Sequence, residues 1–195
     1  MTLRILAITA LIGASTVAPV GAQTKNNPFG IGTTLSAFAG GAADTDGAPP
    51  AAGLELGWEI VPHLAIEGAT LWSAPGNGRH EFGVLIGPKF NLAHGQRRVP
   101  FLTVGAGMYR TTFDDAAAPV PQFYASRMAD AATPKHTFDD FVASVGGGAD
   151  FYLHSHWAVR PDVRLLMVVG DSDRRWITAF GAHVAYHFER HHLTD

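Results

Sequence analysis

Charged side chains stand singly inside apolar, alternating stretches of this 195-residue chain, at Glu55, Glu59, Glu67, Glu81, Lys89, Asp150, Arg160, Asp162 and Arg164. His183 and His187 join them near the end. Carboxylates and guanidiniums sequestered among apolar neighbours must find each other, because an unpaired buried charge is costly. The chemistry they offer is an ion-pair network (Glu59, Glu67, Glu81, Lys89, Asp150, Arg160, Asp162, Arg164) that plugs and stiffens an interior. If partners switch, the same groups make a gate, with Arg160, Arg164, Lys89, Glu59 and Glu67 as its candidates. A second cluster, His154-Ser155-His156, has the residue types of nucleophilic catalysis. That chemistry also needs a carboxylate behind the histidine, and no acidic residue follows at a helpful spacing. His154 and His156 are two residues apart and suit a shared metal ion, as does His191 with a neighbour. His183 and His187 share a strand face but lie about 13 Å apart, too far for one ion. Turn histidines are more often bystanders, so no catalytic residue, metal or other cofactor is expected. The chain has no cysteine, which excludes disulfides, thiol catalysis and thiolate metal sites.

Elements with a period of two must hold these groups. From Trp176 to Phe188, large or apolar residues fall on even numbers while His183 and His187 fall on odd ones, the pattern of a strand with one greasy and one wet face. Seven more segments read the same way. They are Phe29 to Ala39, Ala51 to Ile60, Leu64 to Ser73, Arg79 to Leu92, Val99 to Phe113, Phe138 to Leu153 and Trp157 to Val169. In the fourth, Phe82, Val84, Ile86 and Phe90 oppose Glu81, Gly83, Gly87 and Lys89, with Leu85 an apolar exception on the polar side. In the fifth, placing Leu102, Val104, Ala106 and Met108 outward turns Phe101 and Tyr109 inward. Most segments reach the length of about 9–11 residues that a tilted membrane-spanning strand needs. Aromatics near their ends, namely Phe29, Trp58, Trp72, Phe90, Phe113, Phe138, Trp157, Trp176 and Phe188, suggest two interfacial girdles.

Met1 to Ala22 reads as a cleaved secretory signal peptide. Arg4 is its one charge, Ile5 to Val17 its apolar run, and Val20-Gly21-Ala22 its small-residue end. Residues 23–28 form a short lead, 29–188 one barrel domain and 189–195 a short tail. No apolar run of about 20 residues follows Ala22, so a membrane protein of this sequence must span as β-structure. A net charge of −3 without a basic block argues against nucleic acid as a partner. The connections Val61 to His63, Ala93 to Arg98 and His154 to His156 are short. Those at Gly40 to Pro50, Ala74 to Gly78 and Asp114 to Thr137 are longer or irregular, and Gly170 to Arg174 is again short. Outer-membrane barrels have short periplasmic turns and longer outer loops, which puts both chain ends in the periplasm. Exposed loops usually carry recognition. The longest here centres on Phe123, Tyr124, Arg127 and Met128, with room for one short helix from Gln122 to Asp130.

The run Val145-Gly146-Gly147-Gly148-Ala149-Asp150-Phe151-Tyr152-Leu153, followed by Trp157-Ala158-Val159-Arg160-Pro161-Asp162-Val163-Arg164, resembles the small outer-membrane β-barrel proteins, OmpA-like and opacity-type. Gly83 to Phe90 and Val104 to Gly107 are similar to that family's middle strands. The resemblance implies an all-β fold, an eight-stranded antiparallel up-and-down transmembrane barrel. It implies a location in the bacterial outer membrane and a structural or surface-interaction role with no turnover and at most a small pore. The partners implied are outer-membrane lipids and lipopolysaccharide, with barrel-assembly machinery and periplasmic chaperones during biogenesis, and a monomeric state. Such barrels usually finish on an aromatic residue, whereas Glu189 to Asp195 follow Phe188 here; either a short tail is tolerated or the insertion signal is internal. Two alternatives stay open. An outer-membrane lipid-modifying enzyme would need an assembled serine–histidine site. A soluble, lipocalin-like periplasmic barrel would put the apolar face inside.

Overall fold

A computed structural model describes residues 32–76, 78–93, 96–114, 120–129, 136–170 and 173–188. The expected signal peptide, the lead, the start of the first strand and the tail lie outside these. Alternation builds eight strands: β1 (Thr33–Ala43), β2 (Pro50–Val61), β3 (Leu64–Gly76), β4 (Arg79–Asn91), β5 (Arg98–Phe113), β6 (Thr137–Tyr152), β7 (Trp157–Val169) and β8 (Arg174–His187). One helix, α1 (Gln122–Ala129), interrupts the β5–β6 connection. Every strand pairs antiparallel with its sequence neighbour, and β8 returns to β1 in register from Thr34↔His187 to Ala43↔Thr178. The result is a closed eight-stranded meander barrel.

The faces follow the alternation. Leu54, Trp58, Ile86, Met108, Val145 and Val184 are exposed on the outer wall, and Glu55, Glu67, Glu81, Lys89, Asp150, Arg160 and His183 are buried inside. An apolar outside over a charged inside overturns the lipocalin-like alternative, which requires the reverse. The fifth strand behaves as its parity requires, with Phe101 and Tyr109 buried and Leu102, Val104 and Met108 outside. Trp58, Phe90, Trp157 and Phe188 ring the end with the short turns, and Trp72 and Trp176 stand outward near the other. Phe113 and Phe138 correct the girdle expectation. Both are buried and pack edge-on to one another, 6.2 Å between centroids, under the helix that closes that end.

Two strands run three or four residues past their expected ends. β1 runs on to Ala43 because Gly40 and Gly41 keep pairing with Gly181 and Phe180. A Cβ at Gly40 would stand 2.1 Å from the Phe180 carbonyl oxygen, so only glycine lets the strands close there. β3 reaches Gly76, and the turn into β4 is tight, with φ of 86° at Gly76 and 71° at Gly78, a conformation that glycine adopts at little cost.

Candidate functional site in the barrel lumen

β2, β3, β4, β6 and β7 each send a charge into the half of the lumen nearer the short turns. Arg160 is the hub. Its Nε donates to Asp150 Oδ1 at 2.5 Å, and its Nη1 donates to both Glu55 and Glu67, the latter at 3.0 Å. Lys89 Nζ donates to Asp150 Oδ2 at 2.8 Å and lies 3.3 Å from Glu67 Oε1. Arg164 reaches Glu55 through Nη2 and Asp162 through Nε, at 2.8 Å to Asp162. His183 Nε2 is 3.3 Å from Asp162 Oδ1, and its Nδ1 is 3.2 Å from Ser36 Oγ. Phe101 supports the cations with its ring face, 4.4 Å from Lys89 Nζ and 5.2 Å from the Arg160 guanidinium. The β6 glycines make room for this set. A Cβ at Gly146 would meet Arg164 Cγ at 2.7 Å, and one at Gly148 would meet Asp162 Cβ at 2.9 Å.

The structure therefore brings Glu67, Lys89, Asp150, Arg160, Asp162 and Arg164 together, with Glu55 joining them. Glu59 sits at the edge of this set, lining a small cavity with Glu67, Lys89 and Asp150, and Glu81 lies elsewhere. Glu59 lies near the short-turn end, where Asn91 Nδ2 donates to it at 3.4 Å. Glu81 belongs to a second cluster near the other end. It accepts hydrogen bonds from Arg175 Nη1 at 2.6 Å, Tyr109 Oη at 2.8 Å and Ser73 Oγ at 3.1 Å. The Arg175 guanidinium also holds Asp44, and Arg79 bridges to Asp46 at 3.0 Å and to Asp44 at 3.6 Å. Asp44, Arg79 and Arg175 escaped the sequence reading because they sit at strand ends, where a charge looks like an ordinary solvated one. Parity was the available signal. Arg79 and Arg175 are odd-numbered, as are Glu81 on β4 and His183 on β8.

α1 lies across the mouth above this second cluster. Tyr124 is fully buried, its hydroxyl 2.8 Å from Thr111 Oγ1, and its ring packs on Phe113, Phe123 and Phe138. Burial raises its phenol above the usual range, so it stays a neutral hydroxyl. Arg127 fastens the helix to β6, donating to Asp140 through both terminal nitrogens at 2.8 and 3.0 Å, with the Phe138 ring 4.8 Å from its guanidinium. Met128 packs half-buried against the same aromatic group. This corrects the expectation that Phe123, Tyr124, Arg127 and Met128 form an exposed contact surface. Once capped by Pro121, whose carbonyl accepts from Tyr124 and Ala125, the helix turns its aromatics down into the barrel mouth. Beside it, the described residues Asp46, Pro49, Pro75, Arg79, Pro121 and Gln122 line a cleft of about 380 Å³.

At the opposite end, Ser155 Oγ lies 3.1 Å from His156 Nδ1, and the His156 ring stacks on Tyr186 with 5.8 Å between centroids. Among the described residues, no three His, Cys, Asp or Glu side chains converge in a way that would hold a metal ion.

The profile of the outer membrane protein β-barrel domain matches residues 6–188. Among solved structures, Neisserial surface protein A is similar with a TM-score of 0.58 at 11% identity, covering 82% of this chain and 97% of that one. The N-terminal β-barrel domain of Pseudomonas aeruginosa OprF gives a TM-score of 0.55 at 12% identity, over 82% and 99% of the two chains. Ail, the attachment invasion locus protein of Yersinia pestis, gives 0.51 at 13%, over 80% and 97%. No curated protein sequence matches the chain.

Proposed function

Since the chain belongs to the outer membrane protein β-barrel domain family and resides in the bacterial outer membrane, we propose that it serves as a rigid, filled scaffold with a structural or surface-interaction role, without turnover. The observation that carries this reading is Arg160. It is buried completely and bonded to carboxylates from β2, β3 and β6 at once, so it spans the lumen where an open pore would need water. An eight-stranded barrel is just wide enough to be filled by its own side chains, and permeation is at most a small, infrequent event. Recognition then falls to the outer rim. The cleft between Asp46, Pro49, Pro75, Arg79, Pro121 and Gln122 has a volume within the range of small-ligand sites, and three prolines stiffen its walls. The apolar outer belt takes outer-membrane lipids and lipopolysaccharide as its neighbours. The barrel-assembly machinery and periplasmic chaperones are its partners during biogenesis, and the protein works as a monomer.

The lipid-modifying alternative receives less support. Ser155 and His156 sit in the β6–β7 turn on the short-turn rim, and the contacts described there include no carboxylate behind the histidine. Planar-bilayer recording of the purified, refolded protein tests the proposal. Silence or rare, small openings are expected. Stable, large, substrate-sized conductance would sink it.

A further inference from the structure

Between the two charged clusters, the lumen changes character. Phe38 of β1, Leu71 of β3, Leu85 of β4, Val142 of β6, Leu166 of β7, and Ile177 and Ala179 of β8 point inward at neighbouring levels and form one buried apolar layer. The layer lies between Arg164–Glu55 on one side and Glu81–Arg175 on the other, as the register around the barrel requires.

Space lies on both sides of this layer, and the part that touches it is apolar. Near the short turns, a small cavity of about 20 Å³ is lined by Glu59, Glu67, Lys89, Asn91 and Asp150. Beyond it, a cavity of about 30 Å³ lies against Phe38, Leu71, Leu85, Leu166 and Ala179; its surface is almost wholly apolar, with Glu55, Asp162, Arg164 and His183 at its edge. The first is polar and has room for about one water, whereas the second has the apolar surface of a cavity that stays dry. From the outer rim, the cleft of about 380 Å³ reaches Arg79 and the half-exposed Asp46 beside α1. Charged side chains on either face are thus separated by apolar ones.

We infer that the tighter barrier to permeation is the apolar septum Phe38–Leu71–Leu85–Leu166, acting as a hydrophobic gate in series with the ion-pair plug. A constriction lined by apolar groups stays closed to ions by dewetting, with no need of a moving part. A network of charges is different. It attracts water as soon as one pair loosens, so by itself it is a leaky seal. The septum accounts for closure at a level where the lumen has no charge to offer, and it stands between the two charged clusters. Opening then requires wetting the septum, and exchanging partners around Arg160 does not suffice. The inference goes beyond the filled-lumen reading but rests on it.

The test is single-channel recording in planar bilayers on folded, full-length protein, with folding checked by heat-dependent gel mobility. Leu71→Ser, Leu85→Ser and Leu166→Ser each bring a hydroxyl into the septum. Ala179→Ser does so with a single added atom, and serves where the larger changes impair folding. Each folded septum variant is expected to open about tenfold more often than wild type. Glu67→Gln and Lys89→Gln, which loosen the charged cluster, are expected to stay within about twofold of wild type. Folded septum variants that remain as silent as wild type overturn the inference, as do network variants that open as often as septum variants. Large, stable conductance in wild type has a different meaning, since it removes the filled-lumen reading itself.

Discussion

Arg160 and Asp150 face each other across the β6–β7 hairpin, with Nε–Oδ1 at 2.5 Å and Nη2–Oδ2 at 3.4 Å. The two are side by side on adjacent strands, yet the arginine still reaches across to Glu55 and Glu67. Replacing Arg160 with Met leaves three buried carboxylates short of their main partner. A loss of about 3–5 kcal/mol is expected, as for breaking other buried pairs. Arg110→Met removes the pair with Asp139 on the outer surface, where both side chains are substantially exposed, and about 0–1 kcal/mol is expected. Urea unfolding in lipid vesicles measures both. Similar losses would mean that the lumen cluster contributes no more than a solvated pair.

Val184 and His183 are neighbours on opposite faces of β8. Val184→Arg places a charge on the outer belt and should cost about 2–4 kcal/mol if it lies near the bilayer midplane. His183→Gln shortens a lumen contact and should cost about 1 kcal/mol, the usual net worth of one hydrogen bond. The same unfolding assay decides the matter, and equal damage from the two would undo the face assignment.

Arg127 is one of the ties that hold the helix lid. Arg127→Ala removes the double hydrogen bond to Asp140 and the guanidinium above Phe138. The barrel should keep its gel mobility while α1 becomes at least several-fold more susceptible to added protease, as expected when a segment's opening free energy falls by about 1–3 kcal/mol. Unchanged cleavage would show that the aromatic packing of Tyr124 alone holds the lid.

Glycine positions separate by what surrounds them. At Gly148, a side chain would meet the Pro161 carbonyl oxygen at 2.2 Å, whereas at Gly68 nothing lies within 4 Å. Gly148→Val should prevent the folded gel mobility from developing, and Gly68→Ala should leave it intact. A folded Gly148→Val barrel would contradict the close β6–β7 approach.

Most of the wall was legible from alternation alone, because lipid outside and charge inside impose a strict period of two that the sequence displays over long stretches. The faces of the other strands follow from it, whereas the fifth stays ambiguous in sequence because Phe101 and Tyr109 are apolar on its inward side. What alternation hides is pairing. Lys89 and Asp150 are 61 residues apart and Arg164 and Glu55 are 109 apart, so their meeting depends on the stagger of the closed barrel, which no local pattern records. The septum was hidden for another reason. Leu85 stood out as an exception on the polar face, but Phe38, Leu71, Leu166 and Ile177 read one by one as noise, and only the ring of strands stacks them into a layer. Phe123 and Tyr124 lay in a loop with no period at all, where exposure was the natural expectation and burial depended on a mouth built by distant strands.

The pairing of β8 with β1 has a consequence for the order of folding. These strands lie at opposite ends of the barrel's sequence, and until they meet, the sheet carries two bare edges whose amide and carbonyl groups can pair with any other strand. Such long-range closure comes late and slowly. The open sheet is therefore the state most exposed to aggregation. Helpers that hold it should matter most for the interval before the first and last strands join, and stabilising the finished wall would not shorten that interval.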